Sequence, residues 1–218
     1  MQLTTFLTND RIAFAKNNLF KIIAALFAII WIAFYATALD KTDWWIENIL
    51  VFIFIIILTA THKRFLFSDV SLVFLFLFLF VHIYGAQAAY THNALGEFFR
   101  DTWQLKRNPY DRIVHFSFGF LLAYPAVDLL YNKFKVPQKW VGTITNMGIL
   151  CLATIFELIE WGVSEFTTKE TGETYVATQG DVWDAQKDII LALIGSMIVT
   201  NTIKYFRKNI NKTSEQIK

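Results

Sequence analysis

The chain has 218 residues, of which 55% are hydrophobic and 22 are Phe, with a formal net charge of +2 and a mean hydropathy of +0.41. A soluble domain of this length carries less apolar side chain, and several nearly uncharged runs of about 20 residues, the length that crosses a hydrocarbon layer about 30 Å thick, exclude a soluble enzyme. The small positive charge collects in a few short segments, so it does not point to a nucleic-acid partner.

In chain order the apolar runs predict transmembrane helices over 19–38, 45–61, 70–90, 112–131, 140–162 and 183–203. The runs lack the alternation of barrel strands, and in lipid only a helix or a closed barrel satisfies its backbone. The expected fold is therefore all-α, a polytopic bundle of about six helices in one integral membrane domain over 1–218. Its first run follows Lys16 and Lys21 and ends in Ala36, Thr37 and Ala38, which resembles a signal-peptide cleavage site. The run is longer than the usual 7 to 15 apolar residues of such a peptide, and a retained first helix is the better reading.

The segment 91–110 places Leu95, Phe98, Phe99, Trp103 and Leu105 at roughly helical spacing among Glu97, Arg100, Asp101, Lys106 and Arg107. That pattern predicts a short interfacial helix over 94–106. Residues 207–218 read as a loose C-terminal tail. Cys151 stands alone in the fifth run, so an intrachain disulfide is ruled out, and it reads as a small buried apolar residue. His62 reads as part of a basic loop, His92 as surface, and His82 as a satisfied core histidine, with lining of a polar pocket beside Gln87 as the alternative; most of the tryptophans read as interface residues.

Basic residues set the orientation. Arg11, Lys16 and Lys21, then Lys63 and Arg64, then Lys133, Lys135 and Lys139, then Lys204, Arg207, Lys208, Lys212 and Lys218 fall on one side of the predicted helices. Short cytoplasmic segments accumulate Lys and Arg, so both termini are expected in the cytoplasm. Segments 39–44 and 163–182, with Asp40, Asp43, Glu165, Glu170, Glu173 and Asp181, are then outside.

The ionisable residues of the last three helices need a reason to be there, since a charge at mid-membrane costs about 2.5–3.5 kcal/mol on insertion scales. Asp111 and His115 are four apart and share a helix face; Glu157 and Glu160 are three apart; Asp181, Asp184 and Asp188 follow at steps of three and four. Helices four and six enter from the outer side and helix five leaves toward it. His115, Glu157, Glu160, Asp184 and Asp188 are therefore expected within about one or two turns of the outer surface. If the three helices pack together, these five residues make one polar pocket. Such a set suits Mg, Mn, Ca or a carboxylate-bridged metal pair, with Asp111, Asp181 and Gln186 behind the ligands. The same five side chains could act as catalytic acids and bases without metal. The structural alternative pairs Arg112 and Lys187 with neighbouring acids and leaves Asp181 as a helix cap.

The blocks Tyr110-Asp111-Arg112-Ile113-Val114-His115-Phe116, Glu157-Leu158-Ile159-Glu160-Trp161 and Gly180-Asp181-Val182-Trp183-Asp184-Ala185-Gln186-Lys187-Asp188 resemble those of the YjdF-type family of uncharacterised bacterial inner-membrane proteins. More distantly, the order Asp and His, then Glu, then Asp is similar to VanZ-like proteins, which usually carry Asn where Asp188 stands. The resemblance implies a multi-pass protein of the bacterial inner membrane and supplies no catalytic assignment. Three functions stay open: a metal-dependent or acid-base enzyme on a lipid or lipid-linked envelope substrate, a proton- or ion-coupled transporter, and a noncatalytic scaffold or envelope-stress protein. Its partners are then the lipid bilayer and a lipid, with no nucleic acid. Substrate, metal and oligomeric state are left open.

Overall fold

The computed structural model describes residues 11–166 and 179–216. Among these residues it is all-helical, with α1 Asn18–Thr37, α2 Lys41–Thr61, α3 Asp69–Gln87, α4 Ala94–Thr102, α5 Tyr110–Asn132, α6 Gln138–Phe166 and α7 Asp184–Gln216. Every one of these except α4 is long and apolar enough to cross a membrane. The chain is a membrane protein with several transmembrane helices.

Polar residues at the helix starts explain where the elements begin. The Asp40 carboxylate accepts from the N–H groups of Thr42 and Asp43, Ser68 Oγ accepts from Ser71 N, and Asn93 Oδ1 accepts from Leu95 N and Gly96 N. Each satisfies amide groups that a first turn leaves open. The Asp40 cap starts α2 at Lys41, ahead of the predicted start at 45.

The structure corrects several sequence expectations. Helix α3 ends at Gln87, not at 90, because Ala89 and Tyr90 adopt left-handed backbone with φ of 45° and 51°. The interfacial helix stops at Thr102, not 106, where Gln104 again turns left-handed at φ 51°. The segment 207–216, expected as a loose tail, continues α7 as helix through Gln216; no Gly or Pro follows Gly195 to stop it. Cys151 is exposed rather than buried, on the outer face of α6, and Trp44, near the start of α2, is fully buried. Lys169, Glu170, Glu173 and Lys218 lie outside the described residues.

Helix α5 is the hub. It packs on α3, α6 and α7, and α7 also packs on α6, while α1 and α2 pack on α3. The closest approach is between α5 and α7. A Cβ on Gly119 would overlap the Ala192 carbonyl, and one on Gly195 would overlap the Phe116 carbonyl and come within 2.7 Å of Phe120 N. Small residues let membrane helix backbones meet, because van der Waals contact replaces the hydrophobic drive that lipid removes.

One end of the bundle is closed by a charge that the sequence reading passed over. Asp128 of α5 is fully buried. Its carboxylate accepts from Ser71 Oγ at 2.7 Å, Asn132 Nδ2 at 2.8 Å and Ser68 N at 3.2 Å, and pairs with Arg11. Asn17 reaches Asp69 Oδ1 at 2.7 Å beside it. These bonds hold segment 11–17 against α3 and α5.

Candidate functional site

The other end of the bundle holds the expected polar residues. It is formed by the starts of α2, α5 and α7 and the ends of α3 and α6. Asp111 and His115 sit on the first two turns of α5, one turn apart, and both are buried. Asp184 and Asp188 open α7 in the same way and are also buried, as are Glu157 and Glu160 near the end of α6.

Three of these offer ligand atoms to one point. One donor atom each from Asp111, His115 and Asp188 lie within 4.8 Å of one another. His115 Nε2 is 3.5 Å from Asp111 Oδ1 and 3.5 Å from Glu157 Oε1. These separations are long for a direct hydrogen bond. They match ligands that share an ion, since donors about 2.1 Å from one metal stand roughly 3–3.5 Å apart. Glu157 Oε1 and Asp188 Oδ1 are buried side-chain oxygens with no hydrogen-bond partner, which a protein interior rarely tolerates unless something else satisfies them.

The arginines divide the acids. Arg107, in the loop before α5, pairs with Asp184 and lies 3.5 Å from Asp111 Oδ2. Arg112 pairs with Asp181 and with Asp184 at 3.2 Å, and Lys187 Nζ is 2.5 Å from Asp181. Asp181 also accepts from Trp183 N at 3.1 Å. The Lys187 ammonium, the Trp183 amide and the Arg112 guanidinium hold the Asp181 carboxyl well below the usual carboxylate range. Asp181 and Asp184 are thus occupied by cationic side chains. Gln186 is exposed, two residues round the helix from Asp184, and is not behind the ligands as expected; Asp111, expected behind them, stands among them.

Sequence reading missed Glu47 and Tyr90, which join His82 in a neighbouring group. Glu47 of α2 is buried, and Tyr90 Oη lies 3.3 Å from its Oε2 and 2.8 Å from His82 Nδ1. His82 Nε2 stands 3.9 Å from the same Glu47 oxygen. Burial and the Glu47 charge push the Tyr90 phenol well above its ordinary value. Tyr90 is held by its left-handed backbone and by Gly85, where a Cβ would come within 2.5 Å of the Tyr90 ring. Tyr90 also meets Tyr110, the residue before Asp111, with ring centroids 6.5 Å apart, so the two groups share one end of the bundle. The available signal was Glu47 itself, an acid inside an apolar run; its proximity to helix five was not readable. Arg107 was likewise read as one of the water-facing charges of segment 91–110.

Charge accounting follows. Asp43, Glu47, Asp111, Glu157, Glu160, Asp184 and Asp188 are all buried, while the guanidinium groups of Arg107 and Arg112 reach Asp184 and Arg107 also lies near Asp111. Buried charge that is not paired is costly. The surplus negative charge must be neutralised by a bound cation or by protons.

A family profile described as "Predicted membrane protein (DUF2238)" matches residues 19–209. The chain is also 32% identical over 114 residues to "Inner membrane protein YjdF" of Escherichia coli (strain K12). That match covers 52% of this chain and 54% of the relative, so the chain spans about half the length of the curated relative it matches. No solved structure matches.

Proposed function

The chain belongs to the DUF2238 family of predicted membrane proteins, and we propose that it is an enzyme of a bacterial inner membrane. Its centre takes one divalent cation and works on a lipid or lipid-linked envelope substrate at the outer leaflet. The name of the Escherichia coli relative supports the location. The distribution of Lys and Arg supports cytoplasmic termini, with the polar centre toward the outside.

The observation that carries this reading is the convergence of Asp111, His115 and Asp188 within 4.8 Å, with Glu157 Oε1 at 3.5 Å from the same imidazole. Three transmembrane helices contribute one donor set. A mixed carboxylate and imidazole set suits Mn or Zn better than Mg, which prefers oxygen. When bound, such an ion polarises a substrate oxygen or lowers the pKa of a bound water. Around it, Arg107 and Arg112 hold Asp184 and orient the first turn of α7. The carboxylates outside the donor set, Glu160 and Glu47, are the groups available to take a proton. His115 lies edge-on to Phe156, with ring centroids 5.6 Å apart, which fixes its imidazole plane.

The test is elemental analysis of detergent-purified, tag-free protein equilibrated with Mn or Zn, wild type beside His115→Ala and Asp188→Ala. About one ion per chain, lost in both variants that remain monodisperse, is expected. Absence of metal from the equilibrated wild type overturns the reading and leaves the cluster as a packing device.

A further inference from the structure

On the side of Glu47, α1 and α2 meet through their aromatic residues, with the rings of Tyr35 and Trp31 5.6 and 5.9 Å from Trp45 between centroids. Trp31 of α1 donates from Nε1 to Asn48 Oδ1 of α2 at 2.6 Å and contacts the rings of Trp44 and Phe52, with centroids 5.7 and 5.9 Å away. Beyond that contact the two helices separate. They leave a cleft of about 360 Å³, floored by Phe76 of α3 and walled by Phe27 of α1 and Leu58 of α2.

We propose that this cleft is a binding site for a single lipid acyl chain. Its shape selects the occupant. The α1 residues on its lining run from Phe20 to Ile32, about 18 Å along a helix. That volume spread over that length leaves a slot narrower than the roughly 10 Å diameter of a helix. A hydrocarbon chain fits within the slot, whereas a partner's transmembrane helix could only lie across its mouth. The length also exceeds the roughly 15 Å of hydrocarbon in one leaflet.

The chemistry agrees. Trp31 and Thr59 bring the polar atoms of the lining, and both are engaged elsewhere, Trp31 with Asn48 and Thr59 Oγ1 with Ile55 O at 2.8 Å. The cleft therefore offers an occupant no hydrogen bond and would leave water unsatisfied. It is continuous with the lipid-facing surface, where Ile29 of α1 and Ile53 of α2 are exposed.

The cleft points at the polar centre. Its Trp31 end is the end at which α2 begins, and Glu47 lies one turn before Val51, a lining residue on the same buried face of α2. A chain seated here has its headgroup end on the side of Glu47, His82 and Tyr90. That this lipid is the one acted on at the metal centre rests on the function proposed above; the binding site itself does not.

Two matched substitutions test it. Ala28 lines the cleft, and Ala25 is exposed on the same helix without lining it. Native mass spectrometry of delipidated protein titrated with palmitoyl-oleoyl phosphatidylglycerol reads the occupancy. One lipid per chain is expected for wild type and Ala25→Phe, with apparent affinity about tenfold or more weaker in Ala28→Phe. Equal binding in all three, or no lipid retained by wild type, overturns the proposal. Metal content measured on the same samples separates the two readings: a chain that binds lipid in the cleft but no metal refutes the enzyme centre alone, and one that binds metal but no lipid refutes the cleft alone.

Discussion

Arg107, in the loop ahead of α5, is ion-paired with Asp184, the first residue of α7, across 77 residues of chain. The same guanidinium lies 3.5 Å from Asp111, so one cation braces α5 and α7, two of the three helices that supply the donor set. Arg107→Gln removes that brace and leaves two buried carboxylates less compensated. Removing one partner of a buried pair typically costs about 3–5 kcal/mol. The expected outcome is a lower melting temperature in EDTA together with tighter Mn binding, because a repelling charge has left the site. Thermal melts in detergent with and without Mn check both halves, and weaker Mn binding would contradict the assignment of Asp111 as a ligand.

Asp188 has a buried oxygen without a hydrogen-bond partner and belongs to the converging set. A ligand that binds only the folded state stabilises it by about 2.7 kcal/mol at a hundred times its Kd. Mn or Zn should therefore raise the melting temperature of wild type and leave that of Asp188→Asn unchanged. An equal rise in both proteins counts against the centre.

Asp181 gives a pH signature. Its carboxyl is held below the usual range by Lys187, the Trp183 amide and Arg112, so the folded state favours the ionised form. The stabilisation is fully present above the unfolded value near 3.9 and is lost as pH falls toward the depressed folded value. Compared with Asp181→Asn, wild type should be more stable at pH 6, with the gap closing below about pH 4. A gap that widens on acidification would reverse the sign and refute the pairing.

The α5–α7 crossing predicts a contrast between glycines. Gly119→Ala drives a methyl into the Ala192 carbonyl and should cost about 1–3 kcal/mol or more as overpacking. Gly148→Ala on α6 meets open space and should leave stability unchanged or raise it by up to about 1 kcal/mol through helix propensity. Melting temperatures of the two variants in one detergent decide this.

At the opposite end, Asp128→Ala removes the acceptor shared by Ser68, Ser71, Asn132 and Arg11. A loss of about 3–5 kcal/mol is expected, together with faster proteolysis near Lys16 as segment 11–17 comes loose. Metal stoichiometry should be unchanged, since Asp128 is not part of the donor set. Loss of metal in this variant would show that the two ends are not independent.

What the sequence determined by itself was the membrane class, the number of spanning helices and the grouping of the acids at one end of them. Each follows from chemistry written along the chain: a run of about 20 apolar residues has one low-energy home in lipid, and charges within such runs stand out. Helix ends were less legible. Gln87 and Thr102 mark stops set by left-handed residues with no Gly to signal them, while α7 continued where composition suggested a tail. Only the tertiary structure decided which acids are taken up by arginine and which converge. Asp181 and Asp184 read like Asp188 in sequence, yet Arg107 and Arg112 pair with them and leave Asp188 with Asp111 and His115. It also brought Glu47, His82 and Tyr90 to the same centre through α3. The physical reason is that periodicity states which face of a helix a residue occupies, whereas the neighbour across that face is set by helix crossings such as Gly119 against Ala192, to which residues far apart in the chain contribute jointly.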